Sequence, residues 1–279
     1  MFHRLILKRA TILFSIVACN LIGSENLIDQ EQTEYLCSFS LPEEYIEAFP
    51  YSEYKLCSVP RQGDFYIETA NDGIKGCLAR GMPWEPGIDE LIYHYTKPGT
   101  IALDIGAHIG THTIALSHAV GKDGLVIAFE PQEKICRELC MNMRLNKCTN
   151  VIPIHCALGE RNGVVGLLTP LAINQGGTFL SDKGEELVDL RRLDDFQIRN
   201  ISFVKMDVEN YEKMVLEGAW ETLTASHPVI MLEIEGNGEQ LAATGGNRAE
   251  LIAETIRLLE SMGYKVSLFH GADYLAEPA

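Results

Sequence analysis

The stretch Leu103-Asp104-Ile105-Gly106-Ala107-His108-Ile109-Gly110 joins a short apolar segment to a helix-like segment. Gly106 permits a tight turn and lets a ligand approach the backbone closely. Gly110 allows the following helix to pack close to the preceding strand. Asp104 stands at the carboxyl end of that strand, where open α/β sheets bind ligands, and it can accept a hydrogen bond or hold a cation there. The alternative is a plain tight turn between strand and helix.

Short apolar strands alternate with helices on both sides of this turn. Strands are predicted at residues 64–69, 101–103, 125–129, 151–155, 201–206, 228–234 and 264–269, the last being the final strand. Helices are predicted at residues 85–95, 110–120, 131–145 and 249–262. This alternation predicts a mostly parallel sheet covered on both faces. Right-handed crossovers make it a Rossmann-like, doubly wound α/β fold.

Two regions depart from the alternation. Residues 25–60 are interpreted as short helices and loops that lead into the core. Residues 158–195 are interpreted as extra strands and a long loop that contains Asn174-Gln175-Gly176-Gly177-Thr178. Because specificity resides in loops, we expect these two regions to select the partner molecule.

Residues 1–24 have the layout of a signal peptide or a membrane or lipid anchor. The basic beginning holds His3, Arg4, Lys8 and Arg9, and a short apolar run and a candidate cleavage site near Gly23-Ser24 follow. Ile16-Val17-Ala18-Cys19 also resembles a lipoprotein cleavage box with Cys19 lipidated. The apolar run is shorter than the ~20 residues that a membrane span needs. The alternative is an N-terminal helix packed on the domain.

The rest of the chain is predicted to have two parts. Residues 25–95 form an N-terminal extension, and residues 96–279 form the main domain.

The composition restricts the class of partner. The 279 residues carry a formal net charge of −16, which argues against nucleic acid because binding it requires Lys and Arg. The charge favours a neutral, cationic or small partner, although it can also serve solubility alone.

None of the eight cysteines forms a C-x-x-C pair, so buried free thiols and a reducing, cytoplasmic compartment are expected, in conflict with the leader. His108 and His112 lack a third ligand, so no metal site is predicted.

The strand predicted at residues 125–129, which follows the glycine turn and its helix, ends in Ala128-Phe129-Glu130-Pro131. An acid at the position of Glu130 can accept both ribose hydroxyls of an adenosine group, a feature that enzymes using NAD share. The turn is not G-x-G-x-x-G, and Asp104 before it would repel a diphosphate. The same carboxylate suits the α-ammonium of an amino acid-like cofactor. The alternative role of Glu130 is compensation of a helix N-terminus.

The strand predicted at residues 201–206 leads into a third informative stretch, Val204-Lys205-Met206-Asp207-Val208-Glu209-Asn210-Tyr211-Glu212. Asp207 lies at the same sheet edge as Asp104, so it is the candidate catalytic residue. It can orient an acceptor, or remove its proton if burial raises the pKa of this carboxyl. Glu209 and Glu212 begin a predicted helix, where their alternative role is stabilisation of the helix dipole by ~0.3–1 kcal/mol each.

At these residues the chain resembles the FkbM family of methyltransferases, from about residue 60 to 276. Besides the stretches quoted above, the resemblance rests on Trp84-Glu85-Pro86, Asn146, Asn150-Val151, Ala157-Leu158-Gly159, Leu193-Asp194-Asp195, Leu216-Glu217-Gly218-Ala219, Pro228-Val229-Ile230 and Asp273-Tyr274-Leu275. It implies a class I methyltransferase fold, a catalytic domain over residues 96–279 and S-adenosyl-L-methionine as cofactor. It also implies transfer to oxygen, often on sugars or polyketide-like small molecules.

The resemblance also assigns site residues. The implied cofactor-binding residues are Asp104, Gly106, Gly110 and Glu130, with Ala157 beside the adenine and Glu85 near the amino acid part. One position departs from the family pattern D-V-E-G-x-E, because Asn210 replaces the glycine. Asparagine tolerates a positive φ better than most residues, so the turn is expected to survive.

Two other functions stay open. An NAD-dependent oxidoreductase is disfavoured by the missing second glycine and by Asp104. A non-catalytic exported binding protein on a methyltransferase scaffold is suggested by Asn210 and the leader. The expected partner is a small-molecule acceptor, with membrane contact only through residues 1–24 if they are retained.

Overall fold

The computed structural model describes residues 27–68, 72–169, 175–234 and 247–279. The predicted leader, with Cys19 and the Gly23-Ser24 cleavage site, lies outside these residues, as does Asn174 of the predicted long loop. Within the four ranges, no helix has both the length and the apolar character that crossing a membrane requires.

Strands and helices follow one another along the chain. The strands are β1 (Tyr54–Val59), β2 (Gly63–Glu68), β3 (Ile101–Ile105), β4 (Leu125–Phe129), β5 (Val151–Ile154), β6 (Ala157–Leu158), β7 (Gly163–Leu168), β8 (Phe179–Leu180), β9 (Glu186–Arg191), β10 (Ile201–Met206), β11 (Val229–Glu233), β12 (Tyr264–His270) and β13 (Asp273–Pro278). The helices are α1 (Gln30–Cys37), α2 (Glu43–Glu47), α3 (Gly73–Leu78), α4 (Pro86–Tyr95), α5 (Thr111–Val120), α6 (Glu133–Leu145), α7 (Glu212–Glu217), α8 (Trp220–Ser226) and α9 (Arg248–Ser261).

Seven strands form the central sheet in the order β12-β13-β11-β10-β3-β4-β5. The pairs β11–β10, β10–β3, β3–β4 and β4–β5 are parallel, whereas β13 runs antiparallel to both β11 and β12. The predicted Rossmann-like, mostly parallel α/β sheet is therefore confirmed. The chain leaves β3 toward β4 on one side and returns to β10 on the other. This reversal of strand order opens a crevice at the carboxyl ends of β3, β4 and β10.

Both faces of the sheet are covered. Every residue of β3 and β4 is buried, as expected for inner parallel strands. Side chains alternate between the faces, so that Leu103 and Ile105 pack in one hydrophobic cluster while Ala102 packs in the other. This double cover holds the strand ends rigidly and thereby fixes the position of the crevice.

Residues 54–68 form an antiparallel hairpin of β1 and β2. The interpretation of residues 25–60 as helices and loops was therefore wrong for β1. The strand is mostly exposed and lacks the apolar alternation that would reveal it, and it is held by its ladder with β2. The second strand, β2, is also bonded to α6, because the backbone N–H of Tyr66 donates to Asn142 Oδ1 at 2.8 Å. The hairpin is thus attached to the main domain.

The end of the chain also differs from the prediction, because β12 is not the final strand. Gly271, with φ of 58°, turns the chain into β13, which lies between β11 and β12. The apolar run of β13 is only Tyr274-Leu275-Ala276, between an acid on each side and a final proline. The segment is a strand because it is paired on both sides. The extra strands predicted between residues 158 and 195 are confirmed as a four-stranded sheet of β6, β9, β7 and β8.

The expectation of free thiols is confirmed for the cysteines within the described ranges. Five of them are buried and two are partly exposed, and none forms a disulfide. The buried ones are Cys37, Cys136, Cys140, Cys148 and Cys156.

Candidate active site

The glycine turn after β3 is held between two neighbouring strand ends. The backbone N–H groups of Gly106 and Ala107 both donate to the carbonyl oxygen of Phe129, each at 3.0 Å. Gly106 has φ of 79°, and a Cβ at this position would overlap the carbonyl oxygen of Asp207. No other residue type fits here without moving the backbone. The turn therefore brings the ends of β3, β4 and β10 into direct contact.

Gly110 acts in packing. It precedes α5 with φ of 94°, and a Cβ there would lie 2.8 Å from Leu139 Cδ1 of α6. The glycine allows α5 and α6 to approach each other beside the turn. His108 lies in the turn rather than on α5, with φ of 48°, so it does not share a helix face with His112.

Glu130 directly follows β4 and is almost completely buried. Its Oε2 accepts the backbone N–H of His108 at 2.9 Å, and its Oε1 accepts the N–H of Gln132 at 2.9 Å. Burial raises the pKa of Glu130 to about 7, although the His108 side chain and the two backbone bonds oppose this shift. The carboxyl group is thus fixed at the rim of the crevice with capacity for further hydrogen bonds.

One cavity collects several of the predicted residues. Gly106, Glu130, Ala157 and Asp207 all line it. Its other walls are Ile74, Ile105, His108, Phe129, Pro131, Gln132, Cys156, Leu158, Leu167, Gly176, Thr178, Phe179, Leu180, Val208 and Glu209. Three of the residues assigned to cofactor binding, Asp104, Gly110 and Glu85, lie outside this lining. The cavity has a polar rim at the strand ends and an apolar wall opposite.

Asp104 lies beneath the turn and is fully buried. Its Oδ2 accepts the hydroxyl of Thr113 on α5 at 2.6 Å. Its Oδ1 has no hydrogen-bond partner among the described residues and lies 4.0 Å from Lys205 Nζ. A buried carboxylate oxygen without a donor is costly, so this atom retains capacity for one.

Glu85 is held by a chain of polar groups. It precedes α4 in a left-handed conformation, with φ of 42°, and its Oε2 lies 3.3 Å from His112 Nε2. His112 Nδ1 lies 2.9 Å from Asp89 Oδ1 of the same α4. Burial lowers the pKa of His112, but the hydrogen bonds with Asp89 and Glu85 outweigh it and raise that pKa to about 9. An imidazolium between two carboxylates therefore fixes Glu85.

Lys205 is a residue that sequence reasoning missed. It lies on β10 with its side chain buried, and its Nζ donates to the carbonyl oxygen of Gly106 at 3.1 Å. Burial lowers the pKa of Lys205, but Asp207 and Asp104 outweigh this effect and raise that pKa well above its usual value. The only signal in the sequence is a lysine inside an apolar strand, two residues before Asp207.

Asp207 stands at the open side of the cavity, with its side chain about one third exposed at 31%. Its Oδ2 lies 3.4 Å from Lys205 Nζ. Two further acids lie at the same edge of the sheet, because Glu233 follows the pair Met206↔Leu232 and is itself paired with Asp273, the first residue of β13. Burial and the charge of Asp207 raise the pKa of Glu233 to about 9, and burial and Glu85 raise that of Asp273 to about 6.

The turn after Asp207 has an unusual backbone. Glu209 and Asn210 both have positive φ, at 54° and 72°. Asn210 therefore takes the positive φ that it was expected to tolerate. Glu212 at the start of α7 stabilises the turn, since its Oε1 accepts the N–H groups of Val208 at 3.3 Å and Asn210 at 3.1 Å. Burial raises the pKa of Glu212 to about 8.

The N-terminal extension supplies part of the cavity wall. Asp72 Oδ1 accepts the N–H of Lys75 at the start of α3, and its Oδ2 accepts the N–H of Gly176 at 3.1 Å. The same Oδ2 lies 3.4 Å from His108 Nε2. Burial raises the pKa of Asp72, but the contacts with His108 and Lys75 together outweigh burial, and the net shift is downward. Ile74 is thereby fixed against the cavity, a contribution that no motif in the sequence indicated.

The comparisons with known proteins concern the same part of the chain. Residues 104–266, more than half of the chain, match the family model for the methyltransferase FkbM domain. No curated protein matches the chain. Among solved structures, the chain is similar to the methyltransferase FkbM from Methylobacillus flagellatus KT, with 19% identity and a TM-score of 0.46. That match covers 67% of this chain and 50%, or half, of the Methylobacillus chain.

The chain is also similar to an O-methyltransferase from Bacillus cereus in complex with SAH, with 16% identity, 69% of this chain and 80% of that chain covered, and a TM-score of 0.45. A SAM-dependent methyltransferase from Aquifex aeolicus matches with 16% identity, 70% and 88% coverage, and a TM-score of 0.40. The family assignment rests on the family model, which spans the glycine turn, Glu130 and the Asp207 segment. The chain belongs to the family of methyltransferases defined by the FkbM domain.

Proposed function

We propose that this protein transfers a methyl group from S-adenosylmethionine to a hydroxyl oxygen of a small molecule, such as a sugar or a polyketide-like compound. The observation that carries the proposal is the shared cavity at the switch point of the sheet. Glu130 and Asp207 line it from two different strand ends, with Gly106 between them. A cofactor-facing acid and an acceptor-facing acid are thus available at one rim.

The residues present fit this cofactor. Glu130 can accept hydrogen bonds from the two ribose hydroxyls, and Ala157 can lie beside the adenine. The unpaired Oδ1 of Asp104 suits an ammonium group, and the Lys205 ammonium is too far away, at 4.0 Å, to form a hydrogen bond with it. Asp104 beside the glycine turn is unfavourable to the pyrophosphate of NAD, which supports the methyltransferase over the oxidoreductase.

The chemistry that the cofactor supplies when bound is a methyl group already activated by the positive sulfur. The protein must then align the acceptor oxygen and exclude water. Asp207 is placed to orient an acceptor hydroxyl and to take its proton, since its side chain is partly exposed beside the turn. Glu85, fixed by His112, stands on the same side and contributes negative charge near Asp207.

Substitution of Asp207 tests this role. Asp207→Asn keeps the size of the side chain but removes the carboxylate, so we expect methyl transfer to slow by about 10²–10⁴-fold. Binding of S-adenosylhomocysteine should stay within about threefold of the wild-type affinity, because Asp207 acts on the acceptor. The measurement is transfer of radiolabelled methyl from S-adenosylmethionine to a panel of sugars and other hydroxyl compounds.

Asp123→Asn, at an exposed turn, is the matched control and should transfer at the wild-type rate. If Asp207→Asn retains full activity on an acceptor that the wild type methylates, Asp207 is not catalytic. If the wild type binds S-adenosylhomocysteine but methylates none of the panel, the non-catalytic binding protein becomes the better account.

A further inference from the structure

The buried ammonium group of Lys205 lies close to residues assigned to the cofactor and to the residue assigned to the acceptor. Lys205 Nζ donates to the carbonyl oxygen of Gly106 at 3.1 Å and lies 3.4 Å from Asp207 Oδ2 and 4.0 Å from Asp104 Oδ1. Asp104 and Gly106 belong to the cofactor side, whereas Asp207 belongs to the acceptor side. A single side chain therefore connects the two sides beneath the cavity.

The pairing of the strands dictates this position. Lys205 is the register partner of Asp104 across the parallel pair β10–β3. Asp207 follows two residues later, so its side chain leaves the sheet on the same face as that of Lys205. Burying a lysine is unfavourable unless carboxylates surround it. The burial of Lys205 within β10 thus points to the two aspartates.

We propose that Lys205 is a positioning residue, which ties the Gly106 turn to Asp207 and supplies the positive charge that lets Asp104 and Asp207 lie together. This inference rests on the proposed function, because it assumes that the two aspartates serve the cofactor and the acceptor. Lys205 itself stays below the cavity and is absent from its lining.

The charges around Lys205 are strongly unbalanced. Besides Asp104 and Asp207, its other acidic neighbours are Glu85 from the start of α4, Glu130 from the end of β4, Glu233 from β11 and Asp273 from β13. The protonated His112 of α5 is a cation that acts against Lys205. Without Lys205, the neighbouring carboxyl groups would repel one another, and their pKa values would rise by about 1–3 units.

The first measurement needs no ligand. Lys205→Gln keeps a hydrogen-bond donor without the charge, whereas Lys205→Arg keeps the charge. Acids whose pKa is raised in the folded state lose their contribution to stability as pH rises. The difference in Tm between wild type and Lys205→Gln should therefore widen from pH 5 to pH 8. Lys205→Arg should show a nearly constant difference, and so should the exposed control Lys122→Gln.

The second measurement is calorimetric binding of S-adenosylhomocysteine between pH 5.5 and pH 8.5. At pH 7 we expect Lys205→Gln to bind at least about tenfold more weakly than wild type, with the acid-side midpoint of binding about 1–3 pH units higher. Lys205→Arg should keep the wild-type midpoint. A lysine that only fills space would lower Tm in both variants and leave the midpoint unchanged.

The outcomes separate this inference from the proposed function. A wild type that fails to bind S-adenosylhomocysteine overturns the proposed cofactor, while the Tm series still decides whether the charge of Lys205 holds the two acids together. A Tm difference for Lys205→Gln that does not depend on pH overturns the inference about Lys205, whatever the ligand does.

Discussion

At the scale of single residues, the site depends on the absence of a side chain at Gly106. Its backbone has φ of 79°, and the space for a Cβ is filled by the carbonyl group of Asp207. Gly106→Ala should cost about 1–2 kcal/mol for the left-handed conformation alone, with a backbone displacement in addition. We expect affinity for S-adenosylhomocysteine to fall at least about tenfold, measured by calorimetry, because the displaced turn lines the cavity.

Gly163→Ala is the control, since Gly163 has an open environment and no left-handed backbone. Its stability should stay within about 0.5 kcal/mol of wild type. If Gly106→Ala bound the ligand as tightly as wild type does, the close contact between the turn and the end of β10 would have no role in binding.

Single residues differ in how far the sequence reveals them. Gly106, Glu130 and Asp207 stand at strand ends, and strand ends are visible in the pattern of apolar runs and glycines. Lys205 and Asp72 are not visible in this way. Lys205 is buried only because β3 and β10, about a hundred residues apart in sequence, become neighbours in the sheet. Asp72 acts through contacts with Gly176, 104 residues away in sequence, and with His108.

At the scale of elements, α4 and α5 are joined by His112, whose imidazole lies between Asp89 and Glu85. The folded pKa of His112, about 9, is above the unfolded value of about 6.5. Its stabilising contribution is thus complete below pH 6.5 and is lost as pH rises toward 9. The difference in unfolding free energy between wild type and His112→Gln should shrink by up to about 3 kcal/mol across this range.

Urea denaturation at pH 6, 7, 8 and 9 measures this difference. The control is Lys122→Gln, an exposed substitution just after α5, which should give a difference that does not change with pH. A constant difference for His112→Gln as well would show that the imidazolium is not held between the two carboxylates.

The elements themselves were predictable where they are buried on both sides. The predictions for β4 and β10 match the structure, and α5 and α6 begin within one or two residues of the predicted starts. The failures are β1, which is mostly exposed, and β13, in which only Leu275 and Ala276 are buried. Their existence depends on the ladder that they join, and a local pattern does not contain that information.

At the scale of the whole molecule, the site is a meeting point of parts that are distant in sequence. The central sheet supplies the acids and the glycine turn, the small sheet supplies Ala157 and Leu167, and the N-terminal extension supplies Ile74. The chain has a net charge of −16, and three acids lie together at this edge of the sheet: Asp207 follows β10, Glu233 ends β11 and Asp273 begins β13. Such a field favours a neutral or cationic acceptor.

The proposed function requires the acids at the switch point to bind an adenosyl sulfonium cofactor. The most direct test is calorimetric titration of the full chain with S-adenosylhomocysteine, with NADH titrated in parallel and Asp104→Ala as the variant. We expect saturable binding of S-adenosylhomocysteine to the wild type, none of NADH, and loss of binding in a variant whose thermal unfolding shows that it is folded. Binding of NADH, or unchanged affinity for S-adenosylhomocysteine in folded Asp104→Ala, would contradict this account.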